Sequence, residues 1–559
     1  MSMLRQGIQN RVTDHAEYVA EYFGLNDVAA WKLVAGTATA SLSLVWTYNF
    51  VFQDESLYVR GKKTVFRLVR KVPAVQRLIA KQKKETMEGM VEDLNKEGKH
   101  IPIRKTLPES SFSSEEVLRE AGELFSLGSY DWNKGCLSGA VYNASPDLND
   151  LLTKVFEKSA FSNPLHPDVF PGVRRMEAEV VAMTAALFHG GPDACGTMTS
   201  GGTESIILAC KAYRDYARET KGISRPEILV PVTAHAAFDK AADLLNIKIV
   251  HVPVDPVTLQ VNVNAMRRAI TRRTAMLVCS APGFPYGILD PVAEVAALGE
   301  RHKIPVHVDA CLGGFLIPFM SEAGFPLPAF DFSLPGVTSI SADTHKYGFA
   351  PKGSSVILYS HPRYRSCQFF VTPDWTGGIY ASPTIAGSRP GSTISTCWAS
   401  MMYYGKQGYV DATRKIITTT RRIEQGLRQI PHINVIGKPQ VSVVAVASKE
   451  FNIYRLSDGM AKLGWNLNAL QFPSSIHLCV TYLHTQPGVA DRFLQNVREV
   501  VGEIMKDPKA DVGGAAAIYG MAQSIPDRSM VAEMACCFLD AMYTLQGESS
   551  TAEEKKVNA

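Results

Sequence analysis

The sequence predicts an α/β protein: a mostly parallel central sheet, a smaller α+β C-terminal domain and one N-terminal transmembrane helix. Three observations predict it. Short Val- and Ile-rich runs alternate with helical stretches between about residues 165 and 360. A second mixture of helix and strand follows over 410–545. One stretch of twenty residues without a charge, LVAGTATASLSLVWTYNFVF, occupies 33–52.

That stretch comes first in the chain. A helix of this length spans about 30 Å, the core of one bilayer. Trp31, Trp46, Tyr48 and Phe50 sit near its ends, where aromatic rings favour the interface. Thr, Ser and Gly dilute it, and a buried helix of a soluble domain is the other reading. Arg60, Lys62, Lys63, Arg67, Arg70, Lys71, Arg77, Lys81, Lys83 and Lys84 follow the stretch. Only Arg5, Arg11 and Lys32 precede it, among Asp14, Glu17, Glu21 and Asp27. The positive-inside rule then predicts a lumenal N-terminus over 1–32 and a cytosolic remainder. The basic juxtamembrane segment, 53–110, reads either as a contact with anionic lipid or as a solvated linker helix.

The rest has globular composition. Of 559 residues, 46% are hydrophobic and 20% charged, which excludes disorder for the bulk of the chain. Lys plus Arg number 58 against 54 Asp plus Glu, a balance of +4, so charge makes no case for a nucleic-acid partner. The ten cysteines are dispersed, with no CxxC pair and no zinc spacing; neither a disulfide framework nor a metal site is expected.

Buried strands are predicted at 227–232, 247–254, 274–280, 304–309, 337–342 and 354–360. Helical patterns fill 203–220 and 291–302 between them, the alternation of a parallel sheet covered on both faces. This gives a large domain over 111–400, including an N-terminal dimerisation part. A small domain follows over 401–545, with helices at 413–429 and 489–506 and a strand near 440–447. The tail 546–559 is polar.

In an open α/β sheet, ligands bind beyond the carboxyl ends of the strands. The polar residues there are His235, Ser280, Asp309, Asp343, His345 and Lys346. A lysine amine in a closed site forms Schiff bases, which makes Lys346 a candidate nucleophile. A carboxylate at a buried strand end needs a partner. Asp309 is therefore either a cap on the next element or the partner of a protonated pyridine nitrogen. In TSGGTES (199–205), two glycines let the backbone approach a ligand at a helix start, where free N–H groups attract phosphate. An ordinary Thr N-cap at Thr203 is the alternative. His235 suits either a structural role or stacking on a flat heterocycle.

A phosphate cradle, a stacking His, an Asp and a Lys in that order form the constellation of a pyridoxal-phosphate enzyme. TSGGTES, TAHAAFDKAA, HVDACLGGF and SADTHKYG resemble the decarboxylase-related group of fold-type-I pyridoxal-phosphate enzymes. WKLVAG, GAVY (139–142), NPLHPDVFPGVRRMEAEVV (163–181), CSAPGFPYGILDPV (279–292), APKGSS (350–355) and GGIYASPTIAGSRPG (377–391) are similar to eukaryotic lyases of that group. Those lyases split phosphorylated long-chain bases.

The resemblance implies a fold-type-I transferase fold and a homodimer with active sites at the subunit interface. It implies a single-pass enzyme of the endoplasmic reticulum membrane with a cytosolic catalytic domain. The substrate would be a phosphorylated long-chain base such as sphingosine 1-phosphate, cut at C2–C3 to a long-chain aldehyde and phosphoethanolamine. Pyridoxal 5'-phosphate would be the cofactor. Lys346 would carry its aldehyde, Asp309 would hold its ring nitrogen and His235 would stack on the ring. Gly202, Thr203, His345 and Ser388 would bind on the cofactor side. Tyr142, His166, Lys352 and Tyr380 would line the substrate side. Lys352 and Arg389 are candidates for gripping the substrate phosphate, with a salt bridge as the alternative for each. Cys311 reads as an inert buried thiol. The rival reading is an amino-acid decarboxylase of the same group; a membrane-tethered scaffold on an inactive fold is disfavoured by Lys346 and Asp309.

Overall fold

The computed structural model describes residues 30–51, 61, 64–65, 68–128, 130–510 and 528–545. Its contacts divide the chain into two compact units. One is Gly128–Gly520; the other joins Met1–Leu127 to Met521–Ala559.

The larger unit is built on a seven-stranded sheet. Its strands are β1 (Cys195–Thr199), β2 (Glu227–Pro231), β3 (Lys248–Val252), β4 (Thr274–Ser280), β5 (Val306–Asp309), β6 (Val337–Ala342) and β7 (Ser355–Tyr359). The spatial order is β1-β7-β6-β5-β4-β2-β3. Neighbours from β3 to β6 pair in parallel, while β7 pairs antiparallel with both β6 and β1. Strands β2, β4 and β5 are buried along their whole length, as parallel strands between two helical layers must be. The helix Gly202–Lys221 packs on one face, against β6 and β7, and Val292–His302 packs against β4 and β5. The six predicted strands are all present. The seventh, β1, reads CGTMT and lacks a branched apolar run; its pairing with β7 holds it at the sheet edge.

The same unit continues into a four-stranded antiparallel sheet. It contains β10 (Asn434–Val435), β11 (Val443–Ala447), β12 (Asn468–Leu470) and β13 (Ser475–Cys479), in the order β10-β11-β13-β12. A two-stranded hairpin, β8 (Phe370–Thr372) with β9 (Tyr380–Ser382), lies between the sheets in sequence. The helix Val489–Ile504 buries Val489, Phe493, Val497, Val501 and Ile504, the spacing of one helical face. The expected boundary at 400 falls inside a helix, Gly391–Arg428. That helix turns sharply at Gly405, whose φ of 53° and ψ of −177° favour glycine.

In the other unit, Pro73–Asn95 opens with proline in its first turn and packs against Arg528–Tyr543. Arg70 pairs with Glu533, and Asn95 donates to the Thr544 carbonyl. Ser114–Phe125 starts with a reciprocal cap between Ser113 and Glu116. The segment predicted to cross the membrane is helical, Ala30–Val51. Among the described residues, however, no helix is long and apolar enough to cross a membrane. Gly36, Thr37, Thr39, Ser41, Ser43 and Thr47 dilute this one, and the transmembrane expectation is not shown. The lumenal expectation for residues 1–29, the basic Arg60, Lys62, Lys63 and Arg67, and the tail 546–559 lie outside the described residues.

Candidate active site

Strands β4, β5 and β6 run parallel with matched register, so Ser280, Asp309 and Ser341 end side by side. The chain leaving β6 turns at once through Asp343-Thr-His-Lys-Tyr. Tyr347 anchors that turn, donating to the Ser442 hydroxyl or the Val480 carbonyl, each at 2.6 Å. Asp343 and Lys346 are three residues apart, and the turn brings Lys346 Nζ to 2.8 Å from Asp343 Oδ2. Burial works against the charge on Lys346, but the Asp343 carboxylate outweighs it and raises the amine above its ordinary pKa. Burial likewise opposes the Asp343 charge, and Lys346 and His345 overcome it, lowering that carboxyl.

His345 Nε2 lies 3.7 Å from the same carboxylate, and its backbone N–H donates to the Ser354 carbonyl. Burial lowers its pKa, Asp343 opposes, and the charges of Lys352 and Lys346 lower it further. Its Nδ1 is buried with no protein partner, as are Ser280 Oγ and Asp343 Oδ1. Above them begins the helix Gly202–Lys221, whose first N–H groups have no intrahelical carbonyl to meet. A Cβ on Gly202 would stand 2.8 Å from Asp343 Oδ1 and from Cys311 Sγ. Only glycine brings this helix start down onto the strand ends.

Asp309 is buried. Its Oδ1 accepts from the Cys311 N–H at 3.0 Å and from the Ser341 hydroxyl at 3.4 Å. The Cys311 thiol is pushed well above its usual pKa by burial and by the charges of Asp309 and Asp343, which keeps it protonated, as an inert thiol should be. Tyr142 reaches the site edge-on to Tyr347, and Lys352 Nζ sits 5.0 Å over its ring. Burial and the Lys346 charge lower the Lys352 pKa.

The remaining expected residues lie elsewhere. His235 is exposed after β2; its Nδ1 accepts from the Ala237 N–H, and its ring meets Phe284 edge-on at 6.1 Å. His166 and Ser388 are exposed, and Tyr380 lies beside Trp375 on the hairpin. Asn163 Nδ2 donates to Ser388 Oγ. Among the described residues, no hydrogen bond, ion pair or ring contact joins these four to Lys346 or Asp309. Thr203 lines a cavity of 340 Å³ with Ser200, Ile385, Ala386 and Arg389. Arg389 makes two bonds to Glu177, at 2.6 and 2.9 Å, so its salt-bridge reading holds. Sequence reasoning left Asp343 without a role; its spacing of three from Lys346 across a tight turn was the available signal.

Residues 100–449 match the family model of the pyridoxal-dependent decarboxylase conserved domain. The sphingosine-1-phosphate lyase of Drosophila melanogaster is 54% identical over 513 residues, 92% of this chain and 94% of that one. The lyase of Saccharomyces cerevisiae is 41% identical over 501 residues, 89% of this chain and 85% of its own. The chain belongs to the sphingosine-1-phosphate lyase family. The solved structure of the Burkholderia pseudomallei lyase matches with a TM-score of 0.73 at 38% identity, covering 79% of this chain and 98% of that one. A glutamate decarboxylase of Lactobacillus brevis, at 20% identity and a TM-score of 0.64, shares the fold alone.

The family's cofactor is pyridoxal phosphate, and the residues of this lyase-family site fit it. The buried Lys346 amine suits its aldehyde. The glycine-only helix start and the orphaned His345 Nδ1 suit its phosphate. Asp309 keeps one oxygen outside the protein's own hydrogen bonds, as a ring-nitrogen partner must.

Proposed function

We propose that this enzyme cleaves the C2–C3 bond of sphingosine 1-phosphate and related phosphorylated long-chain bases. The products are a long-chain aldehyde and phosphoethanolamine. The observation that carries the reading is the Lys346–Asp343–His345 cluster beneath the Gly202 helix start, in a chain 54% identical to a curated lyase. The bound cofactor supplies an electron sink for the pair freed at C2.

The protein's own residues do the rest. Asp309 would hold the ring nitrogen, and its charge would favour the protonated form. Gly202, Thr203 and His345, with Ser388, would hold the cofactor phosphate, and His235 would stack on its ring. Lys346 Nζ, held beside Asp343, carries a proton to C2 after the bond breaks. Tyr142 and Lys352 form the substrate-side wall nearest Lys346. Lys352 keeps its charge for the substrate phosphate, and its lowered pKa rises when an anion binds. His166 and Tyr380 complete that wall. Among the described residues no contact joins either to Lys346 within one chain, which suits a homodimer in which the loop 377–391 reaches the neighbouring site.

We further propose an enzyme of the endoplasmic reticulum membrane, held by its N-terminal segment with the catalytic part in the cytosol. The uncharged run at 33–52 and the ten basic residues at 60–84 support this. In sealed microsomes, added protease should digest the chain after residue 55 and spare the first thirty residues; protection of the catalytic part refutes the topology. For the reaction, purified protein with pyridoxal phosphate and a phosphorylated long-chain base should release aldehyde and phosphoethanolamine in equal amounts. Release of carbon dioxide from amino acids instead would return the decarboxylase reading.

A further inference from the structure

We propose that His307 is a positioning residue for the reaction: through Ser341 it fixes the Asp309 carboxylate, with one oxygen held by the protein and the other left for the cofactor's pyridine nitrogen. This rests on the reading of Asp309 as the ring-nitrogen partner.

His307 is wholly buried in the middle of β5, where a branched apolar residue would cost nothing to desolvate. It touches none of the reacting groups. Both its nitrogens are nonetheless partnered: Nδ1 lies 2.8 Å from Ser339 Oγ and Nε2 lies 3.2 Å from Ser341 Oγ. The arrangement follows from strand periodicity. His307 and Asp309 are two apart on β5 and share a face; Ser339 and Ser341 do the same on β6. The parallel register sets His307 against Ser339 and Asp309 against Ser341. Four polar side chains therefore form a square on one face of the sheet, with Phe238 packed edge-on over the imidazole at 5.9 Å.

Donor accounting gives the square a direction. Ser341 Oγ meets Asp309 Oδ1, which as a carboxylate oxygen only accepts, His307 Nε2, and the Cys311 thiol at 3.2 Å. With its one hydrogen given to Asp309, His307 Nε2 donates to Ser341 and Nδ1 accepts from Ser339. Burial depresses the His307 pKa to about 4, the Asp309 charge opposing only in part, so the ring stays neutral in this one tautomer at working pH. The chain of donors Ser339→His307→Ser341→Asp309 aims its positive end at the carboxylate. The Cys311 N–H adds a second donor to the same oxygen. Among the described residues, no donor reaches Oδ2. A carboxylate gripped by one oxygen cannot swing away from a ring nitrogen at the other, which is how a supporting shell preorganises a contact.

The test is titration of the full-length apoprotein with pyridoxal phosphate, followed by the change in cofactor absorbance, for five variants. Ser341→Ala and His307→Leu should each weaken binding about tenfold, the worth of a hydrogen bond to a charged group. His307→Gln, whose amide can still donate to Ser341, should stay within about threefold of wild type. In an Asp309→Ala background, His307→Leu should add nothing, because the two act as one unit. Losses that are equal for Leu and Gln, or that add to Asp309→Ala, overturn the inference and make His307 a packing residue. Wild-type affinity in Ser341→Ala, a change of one oxygen that tests the chain even where His307→Leu fails to fold, also overturns it. Asp309→Ala with unchanged affinity overturns both this inference and the reading of Asp309 beneath it.

Discussion

The strand-end cluster and the hairpin loop are both expected to serve catalysis, yet they are built in opposite ways. At the strand ends, Asp309 and Asp343 are buried, and His345 and Lys346, half-buried, both close on the Asp343 carboxylate. Parallel register places them, and one glycine brings a helix start down to them. On the loop, Ser388 and the neighbouring His166 are exposed and Tyr380 is half-buried, beside an exposed Trp375 and Ile379. One side chain, Asn163, ties that region together. It donates to Ser388 and accepts from the Arg389 and Leu165 N–H groups. The residues closing on Asp343 and Asp309 thus gather at the ends of one sheet, whereas Tyr380, Ser388 and His166 lie on loops, the usual place for groups that set specificity.

The largest break in this comparison comes from Lys346→Ala. It removes the amine proposed to hold the cofactor and to move the proton, and turnover should fall by roughly 10⁴-fold. The visible absorbance of the bound cofactor should vanish with it. Retained turnover would show that the cluster is not the chemical centre. Gly202→Ala should come next. Its methyl would meet Asp343 and Cys311 at 2.8 Å, an overpacking cost of about 1–3 kcal/mol that pushes the helix start off the strand ends. Cofactor affinity should fall roughly tenfold or more at that cost. An unchanged affinity, measured by apoprotein titration, would place the phosphate elsewhere.

The loop is tested by mixing. Tyr380→Ala should lower turnover up to roughly a hundredfold, the cost of misplacing a substrate. If the loop serves the neighbouring subunit, co-expressing Tyr380→Ala with Lys346→Ala assembles one intact site per mixed dimer, and turnover returns. If the loop serves its own chain, the mixture stays as inactive as its components. That result would bring the two regions back into one subunit and remove the main support for the interface reading.

The sequence made the strand-end region legible because period and position carry the information there. Val- and Ile-rich runs located six strands of the sheet, and the rule that ligands lie beyond strand ends then selected Asp309 and Lys346. β1 escaped because CGTMT has no apolar run; antiparallel pairing with β7, a non-local contact, creates that strand. Asp343 was visible as a residue but not as a partner, since a turn's closure decides whether a spacing of three makes a contact. His307 was hidden for the same reason. Its partners on β6 depend on register between strands thirty residues apart, which no local pattern records. The loop residues were found only through resemblance, and their surroundings within one chain do not by themselves mark them as functional.

The smallest effect separates the sheet from the C-terminal strands by pH. His477 on β13 and His484 just after it are buried, and burial depresses both to about 4, the bond that His477 donates to Pro285 opposing only in part. His484 Nδ1 accepts from the Thr481 N–H at 2.9 Å, so a proton there would face another donor. His477 donates from Nδ1 to the Pro285 carbonyl and accepts at Nε2 from Asn468. Above about pH 6.5, both rings are neutral folded and unfolded, and their contribution to stability is fully present. As pH falls through 6.5, only the unfolded chain takes up protons. Stability therefore declines down to about pH 4 and levels off below it, by about 3 kcal/mol per ring. Thermal melts between pH 7 and pH 4 should show the decline. His484→Gln should remove one ring's share of the slope while leaving turnover at pH 7.5 unchanged, because His484 touches no group of the strand-end cluster. The difference between variant and wild type cancels the carboxylates that titrate over the same range. A variant with the full wild-type slope would mean that His484 is protonated in the folded protein at these pH values, and that the contact with Thr481 yields to acid rather than resisting it.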